Sequence, residues 1–184
     1  MPAITQILSA AATGDPQAAA ELLPLVYDEL RKLAAARMLA ESPDHTLQPT
    51  ALVHEAYVRL LGKDPSQPWN SRGHFFASAA EAMRRILVEN ARRKLTDRAG
   101  GQLARVDFPA NLVVSTPPDE MLALDEALVE FERHDPNGAR LVKLRFFVGM
   151  SHQEAAAALG ISRRVADRMW ALARAWLHRQ ITKS

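Results

Sequence analysis

A short segment of the sequence combines aromatic, basic and amide side chains in a pattern that suits binding to single-stranded nucleic acid. It runs from Gln67 to Phe76 and reads Gln-Pro-Trp-Asn-Ser-Arg-Gly-His-Phe-Phe. Aromatic rings stack on unpaired bases, amide and imidazole groups bind base edges, and a guanidinium binds phosphate. The alternative is that the rings only fill the core. We favour that alternative for Phe76, whereas both interpretations stay open for Trp69 and Asn70.

The sequence contains no arrangement of residues that is typical of an enzyme active site. The pair His54-Glu55 lacks the second histidine of a zinc-protease helix, and no glycine-rich phosphate loop or nucleophile elbow occurs. There are no cysteines, which excludes disulfides and thiolate metal sites. Two pairs of neighbouring acids, Asp119-Glu120 and Asp125-Glu126, are expected to be solvated charges on an amphipathic helix. We therefore expect no catalysis, no metal and no cofactor.

Basic residues are concentrated in two segments that flank an acidic one. Residues 84–98 carry six basic and two acidic side chains, residues 119–135 carry seven acids and one arginine, and residues 163–174 carry four arginines and one aspartate. Two separate basic segments suit two separate contacts with a polyanion such as DNA. Charge alone is equally compatible with solvated helix faces that have no partner.

The composition is that of a soluble globular protein, with 48% hydrophobic and 24% charged residues in a chain of 184. No apolar run reaches the roughly 20 residues that cross a bilayer, so we expect no membrane contact. The N-terminus lacks the basic segment of a signal peptide. The absence of cysteine is compatible with a reducing compartment, and the expected location is the cytoplasm.

The spacing of apolar residues predicts an all-α protein. Apolar positions recur every three or four residues in nearly every segment, and none alternates with the period of two that is typical of strands. Residues 99–118 lack this periodicity and contain Gly100-Gly101 and Pro117-Pro118, which predicts a flexible linker. We therefore divide the chain into a first helical module (1–98), the linker (99–118) and a second helical module (119–184).

The last part of the second module predicts a helix-turn-helix. Ser151-His152-Gln153-Glu154 is a capping box that opens a short helix ending at Leu159-Gly160. Ser162 is placed to cap the next helix, which carries four arginines between Arg163 and Arg174. Two helices with a tight glycine turn and a basic second helix are typical of DNA binding, although plain helical bundles also contain such pairs.

The order of these features resembles an extracytoplasmic-function (ECF) sigma factor, which consists of sigma regions 2 and 4 only. Residues 46–57 resemble the core-binding region 2.2, and residues 74–76, 82–87 and 91–93 resemble regions 2.3 and 2.4. Residues 144–147, 151–154, 159–162 and 173–177 resemble region 4. The resemblance covers nearly the whole chain and depends on the joint order and spacing of these strings.

This resemblance implies a sigma factor that directs RNA polymerase core enzyme to promoter DNA and assists promoter melting. The residues expected to bind core polymerase are Thr50, His54, Glu55 and Arg59. Those expected to bind and melt the minus-ten element are Trp69, Asn70, Ser71, Arg72, His74, Arg84, Arg85, Arg92 and Arg93. Those expected at the minus-thirty-five element are Ser162, Arg163, Arg164, Asp167 and Arg168.

The chain departs from the family pattern at two places. Many ECF sigma factors begin region 2.2 with an acidic run, where this chain has Gln48-Pro49-Thr50-Ala51. Phosphate on Thr50 would restore negative charge there, which makes Thr50 a candidate phosphosite and a serine/threonine kinase a candidate partner, beside an anti-sigma factor. The alternative is that Thr50 only caps a helix. The second departure is Asp167, an acid where the family usually has a base.

The main competing function is a stand-alone helix-turn-helix regulator whose first module serves dimerisation. Such a regulator binds duplex DNA tightly by itself at half-sites related by two-fold symmetry. A sigma factor instead requires core polymerase.

Overall fold

The computed structural model describes residues 48–61, 71–100 and 117–182, together with a few isolated positions before residue 31. Every regular element in this part of the chain is helical, which confirms the predicted all-α class. The elements are α1 (Gln48–Leu61), α2 (Arg72–Gly100), α3 (Pro118–His134), α4 (Pro136–Lys143), a π-helix (Leu144–Val148), α5 (His152–Leu159) and α6 (Arg163–Ile181). Trp69, Asn70 and most of the predicted linker lie outside the described residues.

Helix α2 is the central element of the described structure. It contacts α1, and it also contacts α3, α4, the π-helix and α5. The positions predicted to face inward, Phe76, Ala80, Met83 and Leu87, are all buried. Their spacing of three to four residues places them on a continuous apolar face. The two predicted modules therefore lie against each other on α2 and share one hydrophobic core.

The helix-turn-helix forms as the sequence predicts. The backbone N–H of Glu154 donates to Ser151 Oγ at 3.2 Å, and the N–H of Ser151 donates to the Glu154 carboxylate at 2.8 Å. Gly160 ends α5 with a left-handed φ of 67°, a conformation that glycine adopts without steric cost. Ser162 then caps α6, because its Oγ accepts the N–H of Val165 at 3.3 Å.

The segment before the helix-turn-helix is less regular than the sequence indicates. The spacing of Leu141, Leu144 and Val148 predicts one element that stops at Gly149. The structure shows α4 followed by the π-helix, which Gly149 ends with a φ of 86°. A π-turn accommodates one more residue than an α-turn. Leu144, Phe147 and Val148 of this segment are all buried.

Gly73, in the first turn of α2, lies directly against the backbone of α5. An ideal Cβ at this position would overlap the carbonyl oxygen of Ala158. The start of α2 and the end of α5 therefore meet backbone to backbone, which no residue with a side chain permits without a shift. This contact is one of those that hold the two predicted modules together.

We expect Gly73→Ala to destabilise the protein by roughly 1–3 kcal/mol, because the new methyl group pushes α2 and α5 apart. At a solvent-exposed position in a helix the same change stabilises by about 1 kcal/mol, since alanine is the better helix former. The sign of the change in the free energy of unfolding, measured in urea, therefore tests the contact. A Gly73→Ala protein more stable than the parent would show that α2 and α5 do not meet in solution.

Candidate polymerase and nucleic-acid interface

The basic segment of α2 divides between two faces of the helix. Arg85 and Arg92 are exposed, and Arg85 donates from Nε to Glu81 at 3.0 Å. Arg93 is half-buried. Arg84 is half-buried although it donates to the same Glu81 carboxylate as the exposed Arg85. The sequence grouped these arginines as one DNA-binding set, and the structure brings only some of them to the surface.

Arg84 makes ion pairs within the protein. It donates from Nη2 and Nε to Glu81 at 2.8 and 3.1 Å, and from Nη1 to Asp125 on α3. Asp125 is only 7% exposed, so the expectation of a solvated charge was wrong for this residue. The reason is that α3 packs on α2 at this position and removes the carboxylate from water. A desolvated carboxylate requires a cation with good geometry, and Arg84 supplies it.

A larger charged cluster surrounds this pair and joins α2 to α3 and α4. Lys143, at the end of α4, lies 3.3 Å from Glu81 and 2.9 Å from Glu132. Burial alone raises the pKa of Glu81, but the hydrogen bond from Arg84 and the charge of Lys143 outweigh it and lower the pKa to about 2. We refer to Glu81, Arg84, Asp125, Glu132 and Lys143 as the charged cluster.

One residue expected to bind core polymerase, Arg59, holds α1 on α2. Arg59 donates to both carboxylate oxygens of Glu89 at 3.2 and 2.7 Å, and to Glu55 at 3.3 Å. The hydrogen bonds to Glu89 raise the pKa of Arg59, although partial burial opposes them. His54 is exposed on α1. The side chain of Thr50 lies outside the described residues, although its backbone is in the first turn of α1.

The loop predicted to bind unpaired bases ends at the start of α2. The Oγ of Ser71 accepts the backbone N–H of His74 at 3.1 Å, so Ser71 acts as a cap. Ser71 and His74 are exposed, whereas Arg72 places its guanidinium 5.3 Å from the centre of the Phe76 ring. Phe76 itself is buried, as favoured for this ring.

The second helix of the helix-turn-helix presents a basic surface at its start. Arg163, Arg164 and Arg168 are exposed, while Ala166 and Ala173 face the core. The arrangement leaves the guanidinium groups accessible to an external polyanion. Ser162, placed by the sequence in the same set, has its hydroxyl engaged in capping the helix.

Sequence reasoning missed a cluster of side chains around Trp170 and Asp167. The guanidinium of Arg145 lies 4.1 Å from the centre of the Trp170 ring, and the imidazole of His152 meets the same ring edge-on at 5.9 Å. His152 Nδ1 lies 2.5 Å from Asp167 Oδ1, and Arg163 Nε lies 3.8 Å from Asp167 Oδ2. These residues come from three elements, so no local sequence pattern reports their contact.

The described part of the chain offers neither a metal site nor a membrane-spanning helix. No group of acidic and histidine side chains there could hold a metal ion. No helix among these residues is long and apolar enough to span a bilayer.

Comparison with known families gives one match. The family model described as ECF sigma factor matches residues 1–183, which is nearly the whole chain. A search of curated proteins finds no significant match.

We expect the charged cluster to make the protein sensitive to acid. The pKa of Glu81 falls from its ordinary 4.5 to about 2 on folding, so its contribution to stability is complete above about pH 4.5 and is lost as the pH falls towards 2. Glu81→Gln should lower the free energy of unfolding at neutral pH and flatten its pH dependence over that range. Glu120→Gln, an exposed change on α3, is the control. Equal acid sensitivity in the parent and Glu81→Gln would contradict the assignment.

Proposed function

Because the chain belongs to the ECF sigma factor family, we propose that it binds core polymerase through α1, melts the minus-ten element and reads the minus-thirty-five element through α6. Proteins of this family act in transcription initiation with RNA polymerase core enzyme and promoter DNA. They form a non-enzymatic family of transcription factors. The single observation that carries the proposal is the family match across both predicted modules.

The proposed melting surface consists of the loop before α2 and the exposed face of that helix. Trp69 and Asn70 directly precede the exposed cap residue Ser71, and His74 is exposed one turn later. Extruding a base costs a few kcal/mol, and stacking on an aromatic ring returns roughly 1–3 kcal/mol per base. Arg85, Arg92 and Arg93 would bind the phosphates of the melted strand. Arg84 can join them only by leaving Asp125.

The proposed minus-thirty-five contact uses the start of α6. The N-terminal residues of a recognition helix are those that reach base edges in the major groove. Arg163 and Arg164 occupy these positions and are exposed, and Arg168 follows about one turn later. An arginine can donate two parallel hydrogen bonds to a guanine, which gives this helix the chemistry for sequence recognition.

The proposed polymerase-binding surface is the outer face of α1. His54 is exposed there, and the large apolar side chain of Val58 is 47% exposed one turn later. Glu55 and Arg59 are half-buried at the border of this face, and Arg59 also holds α1 on α2 through Glu89. The two proposed DNA contacts are each modest. Once the polymerase holds both modules, the linker keeps the second contact at a high effective concentration, which strengthens overall DNA binding.

The competing function, a stand-alone regulator, has no support from the family match. Retention of the protein on immobilised core polymerase separates the two functions. A sigma factor binds the core and needs it for promoter binding, whereas a regulator binds duplex operator DNA alone.

We expect Trp69→Ala to retain core binding and to lose open-complex formation, because the stacking ring is removed while α1 is unchanged. Core retention and permanganate reactivity of the melted strand are the two measurements. Trp69→Phe, which keeps a ring, is the matched control and should open the promoter nearly as well as the parent. Unchanged permanganate reactivity in Trp69→Ala would leave this ring a structural residue.

We further propose that Thr50 is a phosphorylation switch for polymerase binding. The first turn of α1 contains no acidic residue, and negative charge is favoured at a helix N-terminus. A phosphate adds about −1.5 to −2 charges and three acceptor oxygens. A serine/threonine kinase would then be a partner of this protein.

Thr50→Glu should raise the affinity for core polymerase, and Thr50→Ala should abolish activation in cells. Thr96→Glu, which adds the same charge on α2, controls for a nonspecific effect of charge on core affinity. A Thr50→Ala protein as active in cells as the parent would show that Thr50 serves only as a helix cap.

A further inference from the structure

Asp167 is the one acidic residue among the arginines at the start of α6, and its carboxylate is directed towards the protein. The contact with His152 Nδ1 is 2.5 Å, and the His152 side chain is only 28% exposed. The contact with Arg163 is longer, at 3.8 Å, and the Arg163 side chain is 69% exposed. Exposed pairs of this kind contribute little to stability, because water and salt screen them. His152 is therefore the dominant partner of Asp167, and Arg163 remains free to turn towards DNA.

The His152–Asp167 contact connects the two helices of the helix-turn-helix across their turn. His152 is the first residue of α5, and Asp167 lies in the second turn of α6. Trp170, one turn after Asp167, meets the His152 ring edge-on and so limits its orientation. His152 Nδ1 is buried and makes no hydrogen bond of ordinary geometry within the described residues, so the Asp167 carboxylate at 2.5 Å is a close polar contact to it.

The buried residues of α5 are two alanines, and the first buried residue of α6 is also an alanine. Ala155 and Ala166 are fully buried, and Ala156 is nearly so. Larger side chains form the ridges and grooves that set the crossing angle of two helices. A methyl group permits close approach but interdigitates little, so these alanines alone contribute little to setting the angle. Leu159 and Met169 are partly buried against the core, and a polar contact at the edge of the pair adds a further constraint on the angle.

Arg145, on the π-helix, adds a second reason for a carboxylate at position 167. Its Nε and Nη1 atoms are buried and have no hydrogen-bond partner among the described residues. Burial lowers the pKa of this guanidinium, and the charge of Asp167 opposes that change. The carboxylate therefore offsets part of the cost of a buried cation that otherwise rests on the face of Trp170.

We propose that His152 and Asp167 are positioning residues for minus-thirty-five recognition and do not contact the bases themselves. Their contact fixes the angle of α6 on α5, and that angle aims Arg163 and Arg164 at the base edges. This inference rests on the proposed function of α6. It gives the acidic residue in a basic helix a role other than repelling DNA.

The test compares holoenzymes reconstituted with the parent, His152→Leu, Asp167→Asn and the double variant. Each is assayed for initiation on a promoter selected by the parent holoenzyme and on the same promoter with a scrambled upstream element. The ratio of the two rates measures discrimination. His152→Asn, which keeps an N–H donor near the position of Nδ1, is the conservative variant. His178→Leu, an exposed change on α6, is the control.

We expect His152→Leu and Asp167→Asn each to lower discrimination about tenfold, which is within the range of coupling between contacting residues. The double variant should fall no further, because both single changes break the same contact. His152→Asn and His178→Leu should discriminate like the parent. His152→Leu removes no negative charge. If Asp167 only repelled DNA, this variant would therefore discriminate between the two promoters as well as the parent.

Three results would overturn the inference. The first is that Asp167→Asn raises the rate of initiation equally on both promoters while His152→Leu discriminates like the parent. That pattern indicates simple charge repulsion between Asp167 and DNA. The second applies if His152→Leu does not fold. Asp167→Asn is then the deciding variant, because Asp167 is half-exposed and tolerates substitution. Discrimination by Asp167→Asn equal to that of the parent would overturn the inference. The third is a parent holoenzyme that ignores the upstream element, which overturns the proposed upstream contact as well. The first two leave that proposed contact intact.

Discussion

The pairing of Arg84 with Asp125 is the interaction on which the described structure depends most. Packing α3 on α2 buries an aspartate, and an unpaired buried charge costs more than any single apolar contact returns. Arg84 meets that requirement from the central helix, and Lys143 and Glu81 extend it to α4. Apolar packing of α3 on α2 and the pairing of these charges therefore occur together at the same place.

The features that sequence reasoning located correctly are those that a few neighbouring residues determine. The capping box at Ser151 and the cap at Ser162 each span four residues, and both form as predicted. The burial of Asp125 was mispredicted because its partner is 41 residues away. Arg59 and Glu89 are 30 residues apart, and their pairing was missed for the same reason. A pattern of charges along one helix does not reveal which face another helix will cover.

In the candidate site, too, neighbouring residues determine some features, and contacts between distant parts of the chain determine the others. Periodicity alone separates Arg84 from Arg85, but only the position of α3 decides which of them is buried. The π-helix was not predicted, because Leu144, Phe147 and Val148 have the spacing of an ordinary α-helical face and no residue of the segment signals a wider turn. That turn also places Arg145 over Trp170. The sequence thus indicated a DNA-binding helix pair, whereas the contacts that orient it became visible only in three dimensions.

The double engagement of Arg84 has a consequence for the energetics of the whole molecule. Its guanidinium is largely buried against Asp125 and Glu81, so it cannot keep these contacts and also reach a DNA phosphate at the surface. If Arg84 serves the proposed melting surface, association of the two modules and DNA binding are alternative states that compete for one side chain. Thermodynamic reciprocity then requires that each weakens the other by the same factor. A polymerase that separates the modules would strengthen DNA binding without contacting either Arg84 or the DNA.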